Sequence, residues 1–303
     1  VFVPGIIENS PVYEMLVDGV STAVNKFNIG KEESKKSLLY IMEAGTNQAE
    51  WSSKIIALTA DAKYDVIISS NPSLPDIIAP ISKQFPNQKF ILLDAEHQNN
   101  TNIYSVRYNQ KEQAYLAGYI GGLMSNSHKL ALIAAQQYPV MDNILLPYFE
   151  KGAKAANPNS EINFRIVGNW YDANKAALIA DTLIDKGVDI ILPICGSASQ
   201  GVINSAKNKN AHITWFDNNG FNKAPGTIIS SSVIKQQELA DIVTSDYLYN
   251  KTMWGNSDVV GMEDGFIEFI QDDPLYLENV PSDIRIQMKS LIERILSKEI
   301  IIQ

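Results

Sequence analysis

Apolar and polar positions along the chain follow two alternating periods. Short runs rich in β-branched and apolar residues, at 1–4, 37–43, 65–70, 89–95 and 102–108, read as strands. Between them the spacing becomes helical. Val12, Met15, Leu16, Gly19, Val20, Ala23 and Val24 form one stripe over 11–27, and 48–60 and 75–84 behave alike. A second series repeats the design, with strands at 129–135, 162–170, 189–195, 212–217 and 226–232 and helices at 142–156, 173–186 and 198–208. The 173–186 helix carries its own boundary signals, Asp172 as N-cap and Gly187 just past the end. A further helix is expected over 233–251 and a strand-like run over 258–270.

Strands that alternate with helices of this length imply βαβ units and parallel sheets covered on both faces. The chain therefore reads as two consecutive α/β lobes with no low-complexity linker. The junction, "SVRYNQKEQAYLAGYIGGLMS" (105–125), passes from an extended segment straight into a helix whose small residues permit close packing. Several extended crossings, not one flexible tether, suggest a hinge and a cleft. Ligands of open parallel sheets sit beyond the carboxyl ends of the strands, so strand-end residues should line it.

Composition narrows the function. With 303 residues there is enough chain for two ordinary cores. A net charge of −9 argues against nucleic acid and against an anionic membrane surface. The single cysteine, Cys195, rules out an intrachain disulfide and the usual cysteine zinc sites. The three histidines, His97, His128 and His212, lie far apart without metal spacing. No run approaches the ~20 apolar residues of a membrane span. Neither a cofactor nor a metal is expected.

The strand ends are rich in amides, hydroxyls and aromatics: "IENSPVY" (7–13), "SNPSL" (70–74), "DAEHQ" (94–98), "QQYP" (136–139), "NWYD" (169–172), "CGSAS" (195–199) and "DNNGF" (217–221). Such groups hydrogen-bond polar edges and offer flat faces for stacking, which favours a small heteroaromatic or polyhydroxylated ligand. Asp217 ends one strand and Lys235 follows another and opens a helix. These two could be an acid–base pair, a salt bridge or two hooks for a ligand. Enzyme signatures are weak: "GSASQG" (196–201) is out of register for a nucleophile elbow, and no phosphate-binding glycine loop is present. An enzyme of similar two-lobed shape, modifying nucleosides or sugars, is the alternative reading. A sugar-responsive repressor would need a basic helix-turn-helix, which residues 1–30 do not show.

Several segments together resemble the basic membrane protein family of bacterial solute-binding lipoproteins that feed ABC importers. They are "VRYNQKEQAYLAGYIGG", "GNWYDANKAALIADTLIDKGVDIILPICGSASQGVINSAK", "ITWFDNN" with "SSSVIK", and "GMEDGFIEF". The resemblance implies a two-lobed type I periplasmic-binding-protein fold, α/β, with hinge crossings between lobes. It places 1–107 plus 233–258 in the first lobe and 108–232 plus 259–303 in the second. It implies capture of a ligand in the cleft and a shift of an open–closed equilibrium. Family members bind purine nucleosides, and a spirochaetal branch binds riboflavin. The family pattern assigns ribose hydroxyls to Asp217 and Lys235, the base to Asp94 and stacking to Tyr13. The first loop, "GIIENSPVYE", departs from the Asp- and Gly-rich nucleoside pattern, so a flavin contends with a purine. The expected ligand contacts are Asn9, Tyr13, Asn71, Asp94, Tyr138, Trp170, Cys195, Gly196, Ser197, Asp217, Asn218 and Lys235. The expected partners are that small molecule and an ABC permease. The expected place is the periplasmic or extracellular face of the cytoplasmic membrane, with membrane contact only through a lipid anchor outside this sequence.

Overall fold

In the structure, a computed structural model that describes residues 1–8 and 10–302, the chain forms two units and passes from one to the other three times. Val1–Tyr108 and Lys235–Val260 make unit 1; Asn109–Ile234 and Gly261–Gln303 make unit 2.

Unit 1 begins with β1 (Phe2–Val3), α1 (Pro11–Asn28), β2 (Met42–Glu43), α2 (Trp51–Ala60), β3 (Val66–Ser70), α3 (Leu74–Gln84), β4 (Lys89–Leu93) and β5 (Ile103–Tyr108). The chain then builds most of unit 2. Its elements are α4 (Gln110–Met124), β6 (Lys129–Ala134), α5 (Leu146–Ala156), β7 (Glu161–Ile166), α6 (Ala173–Asp185), β8 (Ile190–Ile194), α7 (Ser199–Asn208), β9 (His212–Asp217) and β10 (Ile228–Ile234). It returns to unit 1 for α8 (Gln236–Leu248) and β11 (Ser257–Val260), and ends in unit 2 with β12 (Ile267–Phe269), α9 (Pro274–Asn279) and α10 (Ser282–Leu296).

Both units use one strand plan. In unit 2 the sheet order is β12-β10-β9-β8-β6-β7, all parallel except β12. The first strand of the unit, β6, thus lies between the second and the third, and the order reverses between β6 and β8. In unit 1 the order is β11-β5-β4-β3, and β1 pairs in parallel with β2. Ser69 Oγ donates to the Phe2 carbonyl at 2.5 Å, which lays β1 beside β3. The reversal there falls between β1 and β3. In open α/β sheets the crevice at such a reversal, at the carboxyl ends of the strands, is where ligands bind.

The central strands are apolar on both faces because helices cover both, and Ile190, Ile191 and Leu192 of β8 are all fully buried. Pro193 lacks an N–H, and the β8–β9 ladder registers only Ile190 and Ile191 before it. The small residues of α4 allow the close packing expected of them. A Cβ on Gly118 would stand 2.0 Å from the Phe149 carbonyl oxygen, and one on Gly152 would stand 2.1 Å from that of Tyr115.

Three expectations need correction. Only Met42–Glu43 of the 37–43 run is a strand, because β1 offers partners at Phe2 and Val3 alone. Leu38 is 91% and Tyr40 52% exposed, so the alternation there has no core to face. The run 258–270 is two strands in different sheets, broken at Gly261, whose N–H donates to Asp264 Oδ2 at 2.9 Å. The helix expected from 233 starts at Gln236, since Val233 and Ile234 still belong to β10.

Candidate functional site

In unit 1 the loop after β1 leads into α1 with Tyr13 in the first turn. The Tyr13 hydroxyl donates to the Pro4 carbonyl at 3.0 Å and accepts from Asn71 Nδ2 at 3.1 Å. Asn71 directly follows β3, and its Oδ1 accepts from the Ser73 N–H at 2.9 Å. Tyr13 and Asn71 therefore meet at the strand reversal of unit 1. Asp94 follows β4 with φ +50°, a left-handed conformation that costs a non-glycine residue energy. Lys235 is half-buried at the N-cap position of α8. Asn9 lies outside the described residues.

In unit 2 the loops after β6, β7 and β8 come together. Tyr138 follows β6 and Trp170 follows β7, and their rings lie 6.3 Å apart at 41°. Past Tyr138 the helix begins as a π-turn at Met141–Leu145, a local irregularity common at functional sites. Trp170 accepts through its carbonyl from the Ala198 N–H at 3.0 Å, which ties the β7 loop to the β8 loop. Gly196 has φ +58° and lies against the indole, while Ser197 is half-buried in the short helical turn Gly196–Ala198. Tyr138 follows the first strand of unit 2 as Tyr13 follows the first strand of unit 1, so each reversal carries a tyrosine.

Cys195, read from the sequence both as a small buried core residue and as one of the ligand contacts, is buried at its side chain. It is 0% exposed, its thiol is pushed up to about 11 by burial, and it lies 3.3 Å from Ser199 Oγ. Such a thiol packs as a small apolar group. Asn218 is partly committed as well, since its Oδ1 accepts from Trp215 Nε1 at 2.8 Å.

Asp217 closes β9 with φ +70°, so the two strand-end aspartates share the same strained backbone. Burial pushes its carboxyl up from 3.8 to about 6, against a hydrogen bond from Gln113 Nε2 at 3.2 Å that lowers it. Gln113 sits on α4 and is 0% exposed; the same Nε2 donates to the Ser232 carbonyl at 2.8 Å. Unit 1 has a counterpart in Gln236 of α8, also 0% exposed. Its Oε1 accepts from the Tyr108 hydroxyl at 2.9 Å, and its Nε2 donates to Ser70 Oγ at 2.7 Å and the Val12 carbonyl at 3.3 Å. Sequence reasoning missed both glutamines. Their only signal is a polar residue in the buried stripe of a helix that follows a crossing.

Among the described residues no group of three or more His, Cys, Asp or Glu side chains could hold a metal ion. No helix among them is long and apolar enough to cross a membrane. A groove of about 830 Å³ in unit 1, lined by Val20, Val24, Phe27, Tyr40 and Tyr247, reaches the amino end of β3 at Val66. It is thus at the wrong end of the sheet for strand-end chemistry.

A family model described as "ABC transporter substrate-binding protein PnrA-like" matches residues 1–300. Basic membrane protein A of Borreliella afzelii is 24% identical, with 98% of this chain and 93% of that protein covered. A CD4+ T-cell-stimulating antigen of Listeria monocytogenes is 27% identical over 61% of this chain and 51% of its own length. Among solved structures, an ABC transporter solute-binding protein from Aeropyrum pernix superposes with a TM-score of 0.80 at 17% identity, covering 99% and 92% of the two chains. A transcriptional activator of the comK gene from Bacillus halodurans gives 0.75 at 20%, covering 99% and 98%. At such identities these likenesses establish the periplasmic-binding-protein-like fold.

Proposed function

Since the chain belongs to the Bmp family of PnrA-like ABC transporter substrate-binding proteins, we propose that its cargo is a heteroaromatic ring carrying hydroxyls, riboflavin or a purine nucleoside. The family role is non-enzymatic: a small molecule is captured at the extracellular or periplasmic side and passed to a transporter permease. A lipid anchor belongs to the same proposal, on the family resemblance.

The observation that carries the ligand class is the pairing of two kinds of group at the carboxyl ends of one sheet. Tyr138 and Trp170 offer flat faces after β6 and β7, and Asp217 offers a desolvated carboxylate at the end of β9. Aromatic faces suit a flat ring. A half-buried carboxylate with oxygen lone pairs still open suits a hydroxyl and disfavours analogues that lack one, since each acceptor position desolvated without a donor costs about 1–3 kcal/mol. Unit 1 supplies Tyr13, Asn71, Asp94 and Lys235 to the same reading, and Gly196, Ser197 and Asn218 complete it in unit 2.

The test is an absorbance spectrum of the purified protein with mass spectrometry of what denaturation releases, followed by calorimetric titration with riboflavin and with inosine. A flavin spectrum or saturable binding of either compound supports the reading. Binding of neither, with a released molecule that has no heteroaromatic ring, removes it.

A further inference from the structure

We propose that Gln113 is a positioning residue for ligand recognition: from inside α4 it presets the Asp217 carboxylate that receives a ligand hydroxyl. The inference rests on the reading of Asp217 as a ligand contact.

The geometry fixes which way the amide faces. Both neighbours of Nε2, the Ser232 carbonyl at 2.8 Å and Asp217 Oδ1 at 3.2 Å, are acceptors. Turning the amide over would set an oxygen against a carbonyl and a carboxylate, so the NH2 group must point at them. One N–H anchors to the β10 backbone, and the other is thereby aimed at the end of β9. The remaining atom, Oε1, is buried and has no partner among the described residues.

An amide half satisfied and wholly buried is a poor choice for packing alone, since an unbranched apolar side chain fills the space without leaving an acceptor orphaned. Gln236 gives the contrast within the same molecule: it is equally buried, yet both its polar atoms are engaged. That glutamine knits unit 1 together. Gln113 spends its donors on one backbone atom and one carboxylate.

Asp217 needs such a partner. Its φ of +70° turns the residue away from the strand path, and burial opposes its charge. From α4 it faces the neutral Gln113 amide, and from β10 it faces the Val233 backbone in register. Burial raises its carboxyl, and the Gln113 hydrogen bond lowers it. The Gln113 N–H is the group that favours the ionised form and limits where the carboxylate points, which is the preorganisation a binding site requires.

The test uses Gln113→Met, which keeps length without donors, and Gln113→Glu, which keeps shape and places a second carboxyl beside Asp217. Each is titrated with riboflavin and inosine between pH 5 and 8, with Asp217→Asn and the Gln113→Met/Asp217→Asn pair alongside. Gln113→Met should weaken binding about ten-fold, the loss of one charge-assisted hydrogen bond. It should also raise the pH at which binding is half lost, and Gln113→Glu should raise it further. The double variant should bind no more weakly than Asp217→Asn alone. Should Gln113→Met fail to fold, the pH profile of the isosteric Gln113→Glu decides. If Asp217→Asn weakens binding while both Gln113 variants keep wild-type affinity and pH profile, the positioning role is overturned and the reading of Asp217 stands. If Asp217→Asn itself binds normally, both fall.

Discussion

Gly196 lies so close to Trp170 that a Cβ on it would stand 3.2 Å from both the indole Cε3 and the Trp170 carbonyl oxygen. The same carbonyl receives the Ala198 N–H, so the β8 loop both packs against the ring and holds the Trp170 backbone. Gly196→Ala meets this contact and also a φ of +58°, where a side chain alone costs about 1 kcal/mol. The variant should lose about 1–2 kcal/mol of stability in urea denaturation. It should also shift the tryptophan emission and weaken riboflavin or inosine binding. Wild-type stability and emission together would mean that the loop does not seat the ring.

Asp217 sets stability against function. Its carboxyl titrates near 3.8 when unfolded and at about 6 when folded. Between those values the folded protein keeps a proton that the unfolded chain has released. Its contribution to stability therefore falls as pH rises through that window and is least favourable above pH 6. Asp217→Asn should raise stability at pH 8 by about 2 kcal/mol, discounted for partial exposure, and by little below pH 4. The same variant should weaken ligand binding ten-fold or more. Melting curves at the two pH values and calorimetry at pH 7.5 check both halves.

Gln236→Leu should behave differently from any change at Gln113. It deletes three hydrogen bonds of a buried side chain at once, those to the Tyr108 hydroxyl, Ser70 Oγ and the Val12 carbonyl. The expected loss is about 2–3 kcal/mol of stability. Chemical denaturation should reveal it without any change in the pH dependence of ligand binding.

Gly152→Ala tests the α4–α5 contact. The new methyl group would stand 2.1 Å from the Tyr115 carbonyl oxygen, a backbone atom that moves only with its helix. Forcing the helices apart should cost about 1–3 kcal/mol, read as a lowered melting temperature.

The alternation of strand and helix was legible because each element keeps one period over most of its length. Asp172 caps α6 through Oδ1 to the Lys175 N–H at 2.9 Å, and Gly187 follows that helix with φ +90°. Strand ends were legible too, so Tyr13 with Asn71 and Tyr138 with Trp170 could be named before their contacts were known. What local pattern could not supply was partnership. "SLLYI" at 37–41 has the composition of a strand, yet among the described residues it joins no sheet; its backbone bonds go instead to the Asn28 side chain and the Val1 amine. The backbone at Asp94 and Asp217 turns left-handed at residues the sequence marks only as acidic. Gln113 was invisible because its value depends on β9 and β10, about a hundred residues further along the chain.

The return of the chain to unit 1 for α8 and β11 has a consequence for biosynthesis. Val1–Tyr108 emerges early, but the helix that pairs with α1, through Lys26 to Asp241 at 2.6 Å and Phe27 on Tyr249, is still unmade. So is β11, which covers the open edge of β5. At about 5–20 residues per second the first half-unit waits on the order of ten seconds with a bare helix face and an unpaired strand edge. Such surfaces invite association with other chains. A nascent protein that cannot finish its first unit until most of its second has been synthesised depends on being kept apart from its neighbours, and a truncation before Lys235 would make that exposure permanent.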